Sequence, residues 1–399
     1  MIERTTYLKK LSDFRDKQLI KVITGVRRCG KSTLLLEFQG KLREEGVSQD
    51  QIIYINFEDL DYEELTDYKK LYFYIKERLI PEKMTYIFLD EIQNVPNFAK
   101  AVDSLFIQPD TDLYITGSNA YMLSGEIATL LSGRYVRIEM LPLSFREYVK
   151  GTPESISIAD KYTQYLEGSS FPYTIQLGTD RRMIRDYLEG IYHTIVVKDI
   201  ISRKRISDTM MLQSLVQFVF DNIGSPLSSK KIADTMTSAG RKIDVKTVEK
   251  YLEALTESYI IYKAKRYDIR GKQYLKTLDK YYVVDIGLRH MLLGSKGMDA
   301  GHILENVIYL ELLRRGYSVY VGKIGDLEVD FTAVDDTGMT YVQVALTVRE
   351  EQTLERELRP LMAIRDHYPK ILLTLDDDPE IHYHGIRKIN ARKWLLEQD

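Results

Sequence analysis

Cysteine is nearly missing from this 399-residue sequence, which has only Cys29. A single thiol excludes an intramolecular disulfide and any cysteine-cluster metal site, and it suits a reducing compartment. An excess of charge is missing as well. The net charge of −3 is too small to announce nucleic acid or an acidic partner, so a surface for either must be local. No apolar run approaches the ~20 residues of a membrane span, and the opening MIERTTYLKK lacks the apolar core of a signal peptide. The expectation is a cytoplasmic protein with no membrane partner. A chain this long exceeds one ordinary core, so roughly two to four domains are expected.

What the sequence does contain is a strand, Leu19 to Thr24, followed by Gly25-Val26-Arg27-Arg28-Cys29-Gly30-Lys31-Ser32-Thr33 and an amphipathic helix, Thr33 to Glu44. The spacing G-x-x-x-x-G-K-[ST] lets the glycine-bounded backbone curl until its N–H groups face phosphate oxygens, while the helix offers its positive N-terminus to the same charge. In this reading Lys31 reaches the β- and γ-phosphates and Ser32 takes a place on Mg²⁺. Cys29 is read as a small loop residue, and Arg27 and Arg28 face either nucleotide or solvent. Residues 1 to 17 form an amphipathic helix by pattern.

Three further buried strands are expected at residues 52 to 59, 86 to 93 and 113 to 119, with helical stretches Tyr62 to Leu79, Asn97 to Ile107 and Ala120 to Leu131 between and after them. The second of these strands ends in Asp90-Glu91, where Asp90 suits Mg²⁺ and Glu91 suits the water that attacks the γ-phosphorus. If the strand at 113 to 119 lies between those of the phosphate loop and Asp90, Ser118 or Asn119 meets that water. Arg134, at a helix-to-strand junction, is placed to reach a γ-phosphate of its own subunit or a neighbour's.

Gly25 to Ser32, Asp90-Glu91, Asn119 and Arg134 resemble, in that order, the AAA+ ATPases. The likeness is greatest to a prokaryotic group that also shows Asn56 to Asp59 (NFED), Gly117 to Asn119 (GSN), Leu131 to Arg134 (LSGR) and Pro142 to Tyr148 (PLSFREY). It covers the first 150 residues. It implies ATP as the nucleotide, Lys31 on phosphate, Ser32 and Asp90 on Mg²⁺, Glu91 as base, Asn119 as sensor 1, Arg134 as arginine finger, and sites completed at subunit boundaries by self-association. No base-reading residue stands out to choose ATP over GTP.

Residues 150 to 209 read as mostly helical, with Arg181 to Ile201 as the section that in the resembling family covers the nucleotide. The basic residues Arg181, Arg182, Arg185, Arg203, Lys204 and Arg205 there read as solvated faces. Three helices follow, Met211 to Asn222, Lys230 to Ala239 capped by Ser228-Ser229, and Asp244 to Ser258. The strands at 259 to 268 and 280 to 285 come next. This is the pattern of a winged helix, with Lys242, Lys246, Lys250, Lys263, Lys265, Arg266, Arg270 and Lys272 as local positive charge for DNA phosphates.

The last hundred residues form a second α/β unit: an amphipathic helix at 301 to 316 with Glu305, a strand at 327 to 334 with Asp330, and its hairpin partner at 339 to 348 with Gln343. They resemble the PD-(D/E)XK nuclease core, in which carboxylates bind metal and a lysine assists the water. Ala345 stands where that lysine is expected, so a silent binding or assembly module is expected here, with Lys323 the candidate substitute if it is active. Asp376, Asp377 and Asp378 read as a solvated turn.

The fold class is therefore α/β, with a P-loop parallel-sheet AAA+ core (1–148), a helical lid-like section (149–209), a winged helix (210–292) and a nuclease-like domain (293–399). The function expected is Mg²⁺-dependent ATP hydrolysis coupled to DNA binding or remodelling. The alternatives are a nucleotide-controlled switch for a protein partner and an ATP-gated nuclease.

Overall fold

The structure is a computed structural model that describes residues 2–123, 130–294 and 299–397. The chain divides into two compact units, Met1–Pro142 with Glu257–Tyr259, and Leu143–Thr256 with Ile260–Asp399.

The first unit is built on five parallel strands: β1 (Ile20–Thr24), β2 (Ile52–Asn56), β3 (Thr85–Asp90), β4 (Thr111–Gly117) and β5 (Tyr135–Glu139). Their order is β2-β3-β4-β1-β5, with parallel register throughout. Helices cover both faces, so strands in the middle of the sheet must be apolar along their whole length. Every position of β1 and β3 is buried. On one face Val22, Ile87, Leu89 and Ile115 pack with Val102 and Leu105 of the helix Phe98–Phe106. On the other, Phe88 stacks on Tyr114 at 4.8 Å and Phe38, from the helix Lys31–Glu44, lies 5.2 Å from Tyr114. Lys21 and Asp112 form a fully buried ion pair here, and Asp112 also accepts from the Tyr114 hydroxyl at 2.8 Å. The N-terminal helix is shorter than its pattern, Thr5–Asp13. The helix expected at Ala120 to Leu131 falls largely outside the described residues; a single 3-10 turn, Ala120–Leu123, is described.

The second unit begins with the helices Phe145–Gly151, Ile158–Glu167 and Arg181–Thr194, the last running on as a π-helix over Ile195–Ser202. The helices Thr209–Asp221, Ser229–Ser238 and Val245–Glu257 follow, with Ser228 accepting from the Lys231 amide as the expected cap. Next come β6 (Ile261–Asp268) and β7 (Gln273–Val283), an antiparallel hairpin, and Leu227 forms an antiparallel bridge to Asp279. The remaining strands are β8 (Ser318–Ile324), β9 (Leu327–Asp335), β10 (Gly338–Ala345), β11 (Lys370–Thr374), β12 (Ile381–Tyr383) and β13 (Ile386–Asn390).

All eight share one sheet, ordered β12-β13-β11-β10-β9-β8-β6-β7. The junction is the parallel pairing of β6 with β8, Arg266 opposite Val321. The boundary expected between residues 292 and 293 is thus crossed by continuous hydrogen bonding. The helix Ala300–Arg314 differs from its amphipathic reading, because every residue from Ile303 to Leu312 is buried. Its polar residues are consumed internally: Asn306 exchanges two hydrogen bonds with the Val283 backbone, and Glu311 pairs with Arg314 and Arg315. No described helix is long and apolar enough to cross a membrane.

Candidate active site

The loop after β1 turns on two glycines in the left-handed half of backbone space, Gly25 at φ +148° and Gly30 at +105°. A Cβ on Gly25 would sit 2.2 Å from the Met140 carbonyl oxygen, so only glycine fits beneath this strand end. Gly30 is the N-cap of the helix Lys31–Glu44, which directs the helix N–H groups into the loop. Lys31 is buried; its Nζ donates to the carbonyls of Gly25 (3.2 Å) and Val26 (3.4 Å) and lies 3.5 Å from Glu91 Oε1. Ser32 is half-buried and Thr33 exposed. Arg28 is exposed, whereas the partly buried Arg27 pairs with Glu58 at 3.2 Å. Burial pushes the Cys29 thiol up despite Lys31 and Arg4 nearby. An inert thiol fits its reading as a small loop residue.

Asp90 ends β3 and is fully buried. Its carboxylate accepts from the Tyr54 hydroxyl at 3.1 Å and from the Thr116 hydroxyl. Because β4 lies between β1 and β3, Thr116 also accepts from the Glu91 amide at 2.8 Å. Glu91 has left-handed backbone, φ 52°, and its carboxylate accepts from Gln93 Nε2. Burial works to raise this carboxyl, but Lys31, the Gln93 amide and Arg27 outweigh it and hold it below the ordinary carboxylate value. Glu91 is therefore ionised at neutral pH, as a base must be. Ser118 and Asn119, both buried, follow β4 at this same edge of the sheet. The strand order is the one on which their approach to the site depended.

Arg134 is elsewhere. Its carbonyl accepts from the Ile20 amide, at the start of β1, whereas the phosphate loop leaves the end of that strand, roughly 15 Å away at about 3.3 Å per residue. The guanidinium is ion-paired to Asp103 and lies over Phe106. In this structure the guanidinium is thus engaged at the opposite end of β1 from the phosphate loop.

Several residues at this site carried no local signal. Tyr54, Thr116 and Gln93 matter only once the neighbouring strands are known. Arg4 is another: buried at the N-cap of the helix Thr5–Asp13, it donates to the carbonyls of Cys29 (3.0 Å) and Leu141 (2.7 Å), and Tyr7 accepts from the Leu141 amide at 3.0 Å. Arg4 ties the phosphate loop to the segment after β5, and Tyr7 anchors that segment.

The nuclease-like residues do converge in the second unit. The Asp330 amide donates to Gln343 Oε1 at 3.3 Å, and Asp330 Oδ2 accepts from the Val344 amide at 2.8 Å. Gln343 Nε2 donates to Glu357 at 2.8 Å. Burial, then the charge of Glu305, push the Asp330 carboxyl well above its ordinary value, against the opposing effect of Lys280. The lysine among these carboxylates is Lys280 of β7 and not Lys323. Lys280 Nζ lies 2.9 Å from Glu305 and 3.0 Å from Glu328. Its only advance sign was the strand period, which puts Lys280 and Tyr282 on one face. The solvated-turn reading of 376 to 378 also needs correction, since Asp376 is buried and accepts from Thr347 (2.6 Å) and the Val348 amide (2.9 Å).

Residues 17–149 match the AAA domain family, and residues 159–299 match a domain of unknown function, DUF8612. Over its whole length the chain is 41% identical, across 401 residues, to an uncharacterized protein of Haemophilus influenzae, 99% of which is covered. The chain belongs to the same family as that protein. An uncharacterized protein of Methanocaldococcus jannaschii is 30% identical over 370 residues, 87% of this chain and 79% of that one. Among solved structures, a Walker-type ATPase of Pyrococcus abyssi is similar at 16% identity and a TM-score of 0.48, covering 73% of this chain and 96% of that chain. AMPPCP-bound DnaA from Aquifex aeolicus is similar at 15% identity and a TM-score of 0.32, covering 64% and 88%. The first unit of this chain has the α/β P-loop core that its match to the AAA domain family implies, and that match supports ATPase activity at the level of the AAA family.

Proposed function

We propose that this protein is a Mg²⁺-dependent ATPase whose nucleotide cycle governs DNA binding by its second unit. The observation that carries the hydrolytic reading is the approach of Lys31 to Glu91, 3.5 Å apart across the ends of β1 and β3, with Asp90 beside them. The donor set fits the metal: Ser32 and Asp90 would hold Mg²⁺ through the hard oxygens it prefers. When bound, Mg²⁺ neutralises charge on the phosphates.

The chain's own residues do the rest. Lys31 leaves Glu91 for the phosphates, which frees an ionised carboxylate to take a proton from the attacking water. Asn119 orients that water, and Arg134 of a neighbouring copy meets the γ-phosphate. Lys31→Ala should weaken ATP binding, whereas Glu91→Gln should bind ATP and not cleave it. Equilibrium binding measured beside phosphate release decides this, and normal turnover by Glu91→Gln refutes the assignment.

The DNA reading rests on a narrower basic set than the sequence offered. Lys263 pairs with Asp279 and Arg266 with Glu328, which leaves Lys265, Arg270 and Lys272 exposed on the hairpin and three lysines, Lys242, Lys246 and Lys250, exposed on and before the helix Val245–Glu257. Replacing these three lysines should reduce the slope of log affinity against log salt by roughly 0.9 for each phosphate no longer neutralised. A slope unchanged by the triple substitution removes this helix from the DNA interface.

A further inference from the structure

A nuclease core of the kind that residues 301 to 348 resemble needs a divalent cation held between a carboxylate on β9 and a second acidic ligand on β10. The residues here do not fit that ion. The β10 position is the neutral Gln343, and its side chain is used at both ends, accepting from the Asp330 amide and donating to Glu357. One oxygen of Asp330 accepts from the Val344 amide. Among the described residues no group of three or more histidine, cysteine, aspartate or glutamate side chains is arranged to hold a metal.

What the acidic residues hold is an ammonium. Lys280, almost wholly buried, places Nζ 2.9 Å from Glu305 Oε1 and 3.0 Å from Glu328 Oε1. Tyr282, two residues along the same strand, donates to the same Glu305 oxygen at 2.6 Å. Gly224, at φ +69°, lets the backbone close over the other: a Cβ there would stand 3.1 Å from Glu305 Oε2. Glu305 is buried, and Glu328 and Asp330 are half-buried; a buried carboxylate requires a compensating cation. A lysine carried in from the hairpin meets that need with a single charge, three N–H donors and no open ligand position for substrate or water.

We propose that Lys280 is a tethered cation in place of the divalent metal of the nuclease-like fold, so that the native acidic cluster takes no metal, and that removing the ammonium opens a divalent-cation site on the two carboxylates it bridges, Glu305 and Glu328. The domain is then a metal-independent scaffold whose acidic core is locked by the hairpin.

The test uses full-length, nucleotide-free protein carrying Asp90→Asn, which removes the carboxylate of the phosphate-loop metal site, titrated with Mn²⁺ alone. Free Mn²⁺ is followed by its electron paramagnetic resonance signal and thermal unfolding is followed in parallel. With Lys280 present, saturable binding should be absent and the unfolding midpoint should not move with Mn²⁺ or with chelator. Lys280→Ala should gain saturable Mn²⁺ binding and an upward shift of its midpoint, and adding Glu305→Gln should abolish both. A folded Lys280→Ala protein that gains no Mn²⁺ binding overturns the proposal. If Lys280→Ala does not fold, the Lys280-containing protein still decides, because saturable Mn²⁺ binding lost with Asp330→Ala overturns it. Mn²⁺-dependent cutting of plasmid DNA that requires both Asp330 and Lys280 would make the lysine catalytic and also overturn it.

Discussion

Thr116 offers a sharp test of how the candidate base is held. Its hydroxyl accepts from the Glu91 amide at 2.8 Å and donates to Asp90, and nothing in the proposed chemistry requires it to touch nucleotide. Glu91 needs the support, since a left-handed backbone at a non-glycine residue costs roughly 1–2 kcal/mol. Thr116→Val keeps the shape and removes the hydroxyl, leaving the buried Glu91 N–H without its partner at about 1–3 kcal/mol.

That energy is comparable to the backbone strain, so Glu91 should leave its aligned conformation. At ~1.4 kcal/mol per decade, kcat should fall by between roughly fivefold and a hundredfold. Lys31 and the loop glycines do not depend on this bond, so ATP affinity should change by less than about twofold. Thr116→Ser restores the donor and acceptor and should recover most of the rate. The assay is steady-state phosphate release with ATP affinity measured separately. Equal losses in kcat and affinity, or no rescue by serine, would refute the idea that Thr116 acts by positioning Glu91.

Arg134→Ala should keep ATP affinity and lose hydrolysis; mixing it with Lys31→Ala protein should recover part of the activity, and no recovery in confirmed mixed assemblies argues against a role in a neighbour's site. Asp112→Ala strands the buried Lys21 ammonium and should destabilise the fold by about 3–5 kcal/mol in denaturant unfolding. Adding Lys21→Met to Asp112→Ala should recover part of that loss, and a single-variant loss below about 1 kcal/mol would show the pair to be unimportant.

The legible parts were those written in consecutive residues. The glycine spacing of the phosphate loop and the apolar run ending in Asp90-Glu91 are local patterns, and the observed sheet places both at one edge. What sequence could not show depends on which strands are neighbours. Thr116 serves Glu91 only because β4 lies between β1 and β3, and Arg134 stands at the far edge only because β5 runs parallel to β1. Lys280 was not singled out in the sequence, since its carboxylate partners come from the helix Ala300–Arg314 and from β9. The same helix read as amphipathic because polar residues interrupt its apolar run, whereas Glu305, Asn306 and Glu311 are each paired internally.

The pairing of β6 with β8 also sets an order of events during synthesis. The hairpin β6–β7 leaves the ribosome with one edge bare, and that edge is satisfied only when the segment around Val321 arrives to lie against Arg266. At ~5–20 residues per second this is a wait of several seconds, during which an open strand edge is exposed to other nascent chains. Lys280 waits as well, first for Glu305 and then for Glu328. Premature termination anywhere between residues 283 and 305 should therefore release a chain with a complete hairpin, an unpaired strand and an uncompensated lysine, a strong candidate for aggregation or degradation.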